Sequence, residues 1–156
     1  MNCNDGTLAS FSKRIINNNK NENTDHFLSE LGWREFSNHL LYHFPKFIYE
    51  NLQKKFDGFP WKNDGIALKK WQKGLTGFPL VDAGMRELWQ TGSMHNRLRM
   101  VVAMFFTKNM LHDWRLGEAY FMQNLIDGDF SSNNGGWQWS SSTGTDAAPY
   151  FRIFNP

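Results

Sequence analysis

Four groups of residues in this sequence have the types and spacing that chemistry requires. Glu30, Trp33 and Arg34, at helical spacings, share one face with Phe27 a turn earlier. A carboxylate, a cation and two rings on one surface fit a pocket in which Trp33 stacks on a flat ligand and Glu30 accepts a hydrogen bond or supplies a proton. They also fit an amphipathic helix edge carrying a surface ion pair. In the run Met94-His95-Asn96-Arg97-Leu98-Arg99-Met100, Asn96, Arg99 and Met100 fall on one side of an otherwise apolar helix. Polar groups on a buried helix need partners. Arg97 and Arg99 therefore either pair with Asp127 and Asp129 or face a flat cofactor or a phosphate, with the Asn96 amide reading a base edge.

The third group is Asp127-Gly128-Asp129-Phe130 followed by Asn133-Asn134-Gly135-Gly136-Trp137-Gln138-Trp139-Ser140. Adjacent glycines let backbone approach a ligand closely, and two tryptophans so near each other in a polar stretch need something to stack against. Ordinary turns with carboxylate caps are the alternative. The fourth group is dispersed: Trp61, Trp114 and Trp137 lie in separate segments, as stepping stones for an electron would, or as core anchors would. Spacing does not choose between these. His39, His43 and His95 have no metal-ligand pattern, and no nucleophile triad or phosphate loop is recognisable.

Helices must position these residues. The sequence predicts a helix from Asp25 to about Tyr42, with Phe27, Leu28, Leu31, Phe36, Leu40 and Leu41 at mixed three and four spacing, ended by Pro45. A short helix over Phe47 to Lys54, a loop at Asp57-Gly58-Phe59-Pro60 and a helical piece from Ile66 to Trp71 follow. Pro79 starts a helix over about Leu80 to Gln90 that Gly92 terminates, with Trp71 and Trp89 read as core. Met94 to Met110 carries a wide apolar face and should be a central helix. A last helix from Asp113 or Gly117 to Ile126 gives way to Ser131–Asp146, read as a long ordered loop with short helical turns because it is rich in Gly, Ser, Asn and Thr. Helices alternating with loops, with no period-two runs, predict an all-α, multi-helical domain.

Composition bounds the function. The chain of 156 residues fits one domain with a real core. Residues 1 to 24 read as a polar leader, with one short helix around Leu8 to Ile16, and residues 25 to 156 as the domain. A net charge of +2 does not announce a nucleic-acid binder, so any basic footprint must be local. One cysteine, Cys3, excludes an internal disulfide and the usual cysteine zinc sites. No apolar run is long enough for a membrane span, and no secretory signal is visible, so a cytoplasmic protein is expected. With 16% aromatic residues and 7 Trp, the chain holds more ring surface than an ordinary core requires.

These residues resemble one family, the flavin-binding helical domain of photolyases and cryptochromes. The likeness is carried by Trp33-Arg34-Glu35-Phe36, Gly77-Phe78-Pro79-Leu80-Val81-Asp82-Ala83, the run from Met94 to Met100, Asn133 to Trp139, and Ser142 to Pro156. His95-Asn96 looks like the bacterial class I cyclobutane-pyrimidine-dimer photolyases, because six-four photolyases and animal cryptochromes have a second histidine where Asn96 stands. Cryptochromes commonly carry aspartate or cysteine at the position of Asn133.

The resemblance implies FAD as cofactor and DNA containing pyrimidine dimers as partner. Excited reduced FAD gives an electron to a dimer flipped out of the duplex, the dimer opens, and the electron returns. It further implies that Trp33 and Trp139 form flat walls for the lesion, with Glu30 as hydrogen-bond or proton partner, Asn96 at the base edges, Met100 packing nearby and Arg97 contacting DNA. Phe27, Arg34, Arg99, Asp127, Gly128, Asp129 and Asn133 match flavin contacts, with Arg99 pairing Asp127 and Asn133 facing the redox-active ring nitrogen. Trp137, Trp114 and Trp61 match the proximal, middle and surface members of a photoreduction chain.

The antenna-binding domain and the phosphate-holding loop are not recognisable before Asp25, Ser93 stands where the family has a tryptophan, and the relatives continue past Pro156. A fragment truncated at both ends is therefore expected, holding FAD weakly, monomeric, with an antenna chromophore only in the full-length parent. A cryptochrome-like photosensor and an inactive truncated fragment are the competing readings.

Overall fold

The computed structural model describes residues 22–145 and 152–154. Among these the order is α1 (Glu22–His43), short 3-10 turns at Pro45–Ile48 and Lys54–Phe56, α2 (Gly65–Gln72), α3 (Pro79–Thr91), α4 (Asn96–Met104) running into a π turn at Phe105–Asn109, α5 (Trp114–Asn124) and α6 (Phe130–Ser140). No strand occurs among the described residues, as an all-α fold requires. No described helix is long and apolar enough to cross a membrane.

Most helices start where a side chain can satisfy the free amides of a first turn. The carboxylate of Asp64 accepts from Ile66 N at 2.8 Å and Ala67 N at 3.3 Å to open α2. Asp113 caps α5 through Arg115 N at 3.0 Å, and Asp129 caps α6 through Ser132 N at 2.8 Å. At α3 a proline takes the first turn, where its missing N–H costs nothing, and Gly92 ends the helix at φ 68. The approach to α3 is fixed by Asp82, whose carboxylate accepts from Thr76 N (2.8 Å), Thr76 Oγ1 (2.6 Å) and Gly77 N (2.9 Å). Burial works to raise the Asp82 pKa, but these hydrogen bonds and nearby Arg86 outweigh it and hold the carboxyl below its ordinary value.

The core gathers on α2 to α6. Trp71, Val81, Met85, Leu88, Met94, Val102, Phe106, Trp114, Phe121 and Trp137 form one buried cluster. Burying each such side chain stabilises the fold by roughly 1.5–3 kcal/mol. Trp71 sits at its centre, with ring centroids 4.4 Å from Phe106 and 6.1 Å from both Phe121 and Trp137. Helix α6 packs against α1, α4 and α5, which makes it the element that ties the first helix to the rest.

Several sequence expectations need correction. The first helix begins at Glu22, not Asp25; the leader before it and the helix expected over Leu8 to Ile16 lie outside the described residues, apart from the boundary. Instead of a helix over Phe47 to Lys54 there are two 3-10 turns, the first anchored by buried Phe47 behind Pro45. The helix expected over Met94 to Met110 is regular only over Asn96–Met104, with Met94 buried ahead of it and His95 as its cap, and then widens into the π turn. Trp89 is 71% exposed and is no core residue, whereas Trp71 is fully buried.

The largest departure is α6, expected as a loop. Its low intrinsic propensity is overridden by tertiary contacts. Buried Gln138 donates to Phe47 O at 2.6 Å and accepts from Leu52 N at 3.2 Å, and buried Asn134 donates to Ile48 O at 3.2 Å. The small residues also permit close approach. A Cβ on Gly117 of α5 would collide with the six-membered ring of Trp137, so only glycine lets α5 and α6 meet there.

Candidate cofactor and lesion-binding site

A cavity of about 610 Å³ opens between α1, α4 and α6 and the Leu125–Asp129 turn. Its size lies within the usual range for small-molecule and cofactor sites. Helix α1 supplies Glu30, Trp33 and Arg34 to the rim, which is why this helix leaves rings exposed: Trp33 is 53% and Phe36 39% accessible, facing an open cavity instead of a core. Helix α4 supplies Asn96, Arg99 and Met100, three residues on one face as the spacing predicted. Helix α6 and the turn before it supply Asp127, Gly128, Asp129, Asn133, Trp137 and Trp139.

Electrostatics divides this cavity into a paired wall and an open rim. Arg99 donates through Nη2 to both carboxylate oxygens of Asp127, at 3.0 and 2.8 Å, and its Nε donates to Met94 O at 2.7 Å. The guanidinium is thus fixed before any ligand arrives. Asp129 accepts from Ser131 Oγ at 2.8 Å and from Ser132 N at 2.8 Å. Burial would raise its pKa, yet the Ser132 and Ser131 hydrogen bonds and the charge of Arg34 hold the carboxyl below its ordinary value.

Asn133 donates through Nδ2 to the backbone oxygen and to Oε1 of Glu118, both at 3.0 Å. With its amide protons so engaged, the carbonyl oxygen is what Asn133 can offer a ligand. Burial pushes the Glu118 carboxyl above its ordinary value, partly offset by the Asn133 hydrogen bond.

Glu30, Trp33 and Asn96 are exposed on the rim, where His26 Nε2 lies 4.0 Å from Glu30 and Arg34 Nε 3.9 Å from Glu35, both contacts well exposed. Such a contact contributes little stability.

Twelve of the sixteen sequence-predicted site residues therefore meet in one cavity, and four do not. Phe27 lies 47% exposed on α1 and does not line it. Arg97 is exposed at the start of α4, outside the cavity, and the expected pairing of both arginines with both aspartates holds only for Arg99 and Asp127. Side-chain direction explains Arg97: it follows Asn96 directly, and one residue along a helix turns the side chain by about 100°. Trp114 is fully buried in the core and Trp61 packs half-buried at the edge of the same cluster, 4.4 Å from the Phe59 ring. Sequence reasoning missed Glu118, Ser132 and Phe36. The Glu118 position on α5 becomes meaningful only once α6 is known to be a helix that lays Asn133 beside it.

The residues present fit a flavin dinucleotide. Flat apolar surface comes from Trp137 and Phe121, fixed charges of both signs from Arg99 and Asp127, and an oriented amide from Asn133. Gly136 lines the cavity, and a Cβ there would meet no atom within 4 Å, so the absent side chain leaves space for a ligand.

Comparison with known proteins agrees with this chemistry. A family model described as the FAD binding domain of DNA photolyase matches residues 27–156. The chain is 53% identical over 130 residues to a deoxyribodipyrimidine photo-lyase of Agrobacterium fabrum, covering 83% of this chain and 27% of the relative. It is 56% identical over 131 residues to that of Escherichia coli, covering 83% of this chain and 28% of the relative. It thus spans little more than a quarter of these relatives' length. Among solved structures it superposes on a bacterial class III photolyase from Agrobacterium tumefaciens with a TM-score of 0.87 and 46% identity, covering 95% of this chain and 31% of that one. A Synechocystis cryptochrome gives 0.84 and 39%, covering 94% and 30%. With the family match extending over most of the sequence and the cavity residues in place, the chain belongs to the family of the FAD-binding domain of DNA photolyase.

Proposed function

We propose that this chain is the flavin-holding and lesion-holding part of a deoxyribodipyrimidine photo-lyase, which repairs cyclobutane pyrimidine dimers in DNA under light. One observation carries the reading: a single cavity joins the paired wall of Arg99, Asp127 and Asn133 to the open rim of Glu30, Trp33 and Asn96. Bound reduced FAD supplies a photoexcited electron to the dimer. Arg34, Arg99, Asp127, Gly128, Asp129 and Asn133 hold the flavin, with the Asn133 carbonyl oxygen as acceptor for a ring N–H. Trp33 and Trp139 offer flat surfaces to a pyrimidine dimer turned out of the duplex, and stacking of this kind contributes about 1–3 kcal/mol per base. Glu30 hydrogen-bonds the lesion, the Asn96 amide meets the base edges, Met100 fills the space beside them, and Arg97 meets a phosphate. Trp137, Trp114 and Trp61 carry an electron inward when the flavin must be reduced.

The protein acts as a monomer in the cytoplasm. The test is illumination of a dimer-containing oligonucleotide with the protein supplied with reduced FAD. Recovery of intact pyrimidines is expected; flavin bound and bleached by light without any recovery would move the reading to a photosensor, which the likeness to the cryptochrome fold favours as second choice.

A further inference from the structure

Trp71 and Trp114 share the buried core cluster with Trp137, and they differ in one respect. Trp71 and Trp114 are both fully buried. The Trp71 ring stands 6.1 Å from that of Trp137, centroid to centroid, yet its indole N–H has no hydrogen-bond partner. Trp114 lies one turn from Gly117, the residue against which the Trp137 ring packs, and its Nε1 donates to Asn51 Oδ1 at 2.9 Å. Asn51 is itself buried, and its Nδ2 donates to Asp57 Oδ1 at 2.9 Å. The carboxylate fixes the amide with its oxygen toward Trp114 and polarises it. Asn51, Asp57 and Trp61 all line a polar cavity of about 410 Å³, so the hydrogen-bond chain from Trp114 ends where the half-buried Trp61 also sits.

We infer that Asn51, held by Asp57, makes Trp114 and not Trp71 the residue that takes up an electron hole from Trp137, so that Asn51 and Asp57 are positioning residues for light-driven reduction of the flavin. This rests on the proposed role of the three tryptophans in electron transfer. Trp137 gives one electron to photoexcited oxidised flavin and Trp114 gives one to Trp137. The indole proton of Trp114 stays on Nε1, shared with Asn51 Oδ1, and no covalent bond breaks. Trp61 then reduces Trp114 and is itself reduced by a thiol in solution. An oxidised indole is a buried cation. At Trp71 it would have no acceptor to face, which is costly in a dry core. At Trp114 the hydrogen bond becomes charge-assisted and strengthens. The guanidinium of Arg115, 4.8 Å from the Trp114 ring, opposes oxidation, but its charge is offset by both oxygens of Asp113 at 3.0 Å. Proximity alone places Trp71 beside Trp137, and the hydrogen bond decides against it.

The experiment follows the hole in Trp114→Phe, Trp71→Phe, Asn51→Leu and Asp57→Ala proteins. In FAD-loaded protein, transient absorption should show the flavin photoreduction yield falling about tenfold in Asn51→Leu, the worth of one charge-assisted hydrogen bond. Trp71→Phe should leave that yield within twofold of the unsubstituted protein. In cofactor-free protein carrying Trp61→Phe, so that the hole cannot move on, and oxidised by azide radicals, electron spin resonance should place the radical on Trp114 and move it to Trp71 when Asn51→Leu is added. The downfield indole proton resonance of Trp114 should be lost in the same variant, a readout that a merely structural role for Asn51 would not couple to the position of the radical. Should Asn51→Leu not fold, Asp57→Ala, on an exposed loop, should give about a threefold loss by freeing the amide to turn. An unchanged yield and radical position in Asn51→Leu, or in Asp57→Ala where the leucine variant does not fold, overturns the inference. Trp114→Phe without effect on photoreduction sinks the electron-transfer reading itself.

Discussion

On the floor of the cavity, Arg99, Asp127, Asp129 and Asn133 each hold hydrogen-bond partners on the protein, and Trp137 beneath them is buried against Gly117. On its rim, Trp33, Glu30 and Asn96 stand exposed, with a long contact from His26 to Glu30 and an edge-to-face contact of Trp33 with Phe36 beside them. The floor is organised without a ligand, its charged side chains already held by hydrogen bonds and an ion pair within the protein. The rim is left to be completed by what binds. Floor substitutions should therefore register as lost stability as well as lost binding, and rim substitutions as lost binding alone.

The largest effect expected is at the floor. Gly117→Ala drives a methyl group into the Trp137 ring, with no flexible side chain able to yield. A loss of about 3 kcal/mol is expected, at the upper end of overpacking, measured by urea unfolding. A variant as stable as the parent would show that α5 and α6 can slide apart, and the floor would not be rigid. Next is Trp33→Ala on the rim. Affinity for dimer-containing DNA should fall by about 1–3 kcal/mol, while unfolding changes by less than about 0.5 kcal/mol. A large stability loss there would erase the distinction between the regions.

Two carboxyls, Asp129 of the floor and Glu118 behind it, sharpen the contrast through pH. Asp129→Ala removes the cap of α6 and should cost about 1 kcal/mol at neutral pH. Because the folded pKa of Asp129 is depressed, its stabilisation is present above the unfolded carboxyl value and is lost as pH falls through the folded one. The smallest effect should be at Glu118, with the opposite sign. Its folded pKa is raised by burial, so folding is favoured at low pH and stability declines as pH rises through the unfolded value toward the folded one. Glu118→Gln should therefore be slightly more stable than the parent at neutral pH and no more stable well below the carboxyl range. Thermal unfolding across pH for the two variants should give curves diverging from the parent in opposite directions.

Most of the site was legible because its residues are clustered on helices whose period is visible. Glu30, Trp33 and Arg34 share one face of α1, and Asn96, Arg99 and Met100 share one face of α4, as spacing alone required. Phe27 and Arg97 lie outside the cavity: Arg97 follows Asn96 directly and so points about 100° away from it, while Phe27 lies on α1 ahead of Glu30 and does not line the cavity. The α6 stretch was illegible as a helix because Asn, Gly and Ser have low helix propensity; only the buried hydrogen bonds of Gln138 and Asn134 to the Phe47–Leu52 segment reveal what compensates.

By itself, the sequence determined the helical class, the motifs that mark the family and the faces that carry charge and rings, all of which depend on spacing within a few turns. Tertiary structure alone decided which charges are paired, that Glu118 stands behind Asn133, and that of two equally buried tryptophans in the core cluster of Trp137 only Trp114 finds a hydrogen-bond acceptor. Those contacts join residues far apart in the chain. Pairing energies in a core depend on distance and burial, and neither is written in local sequence.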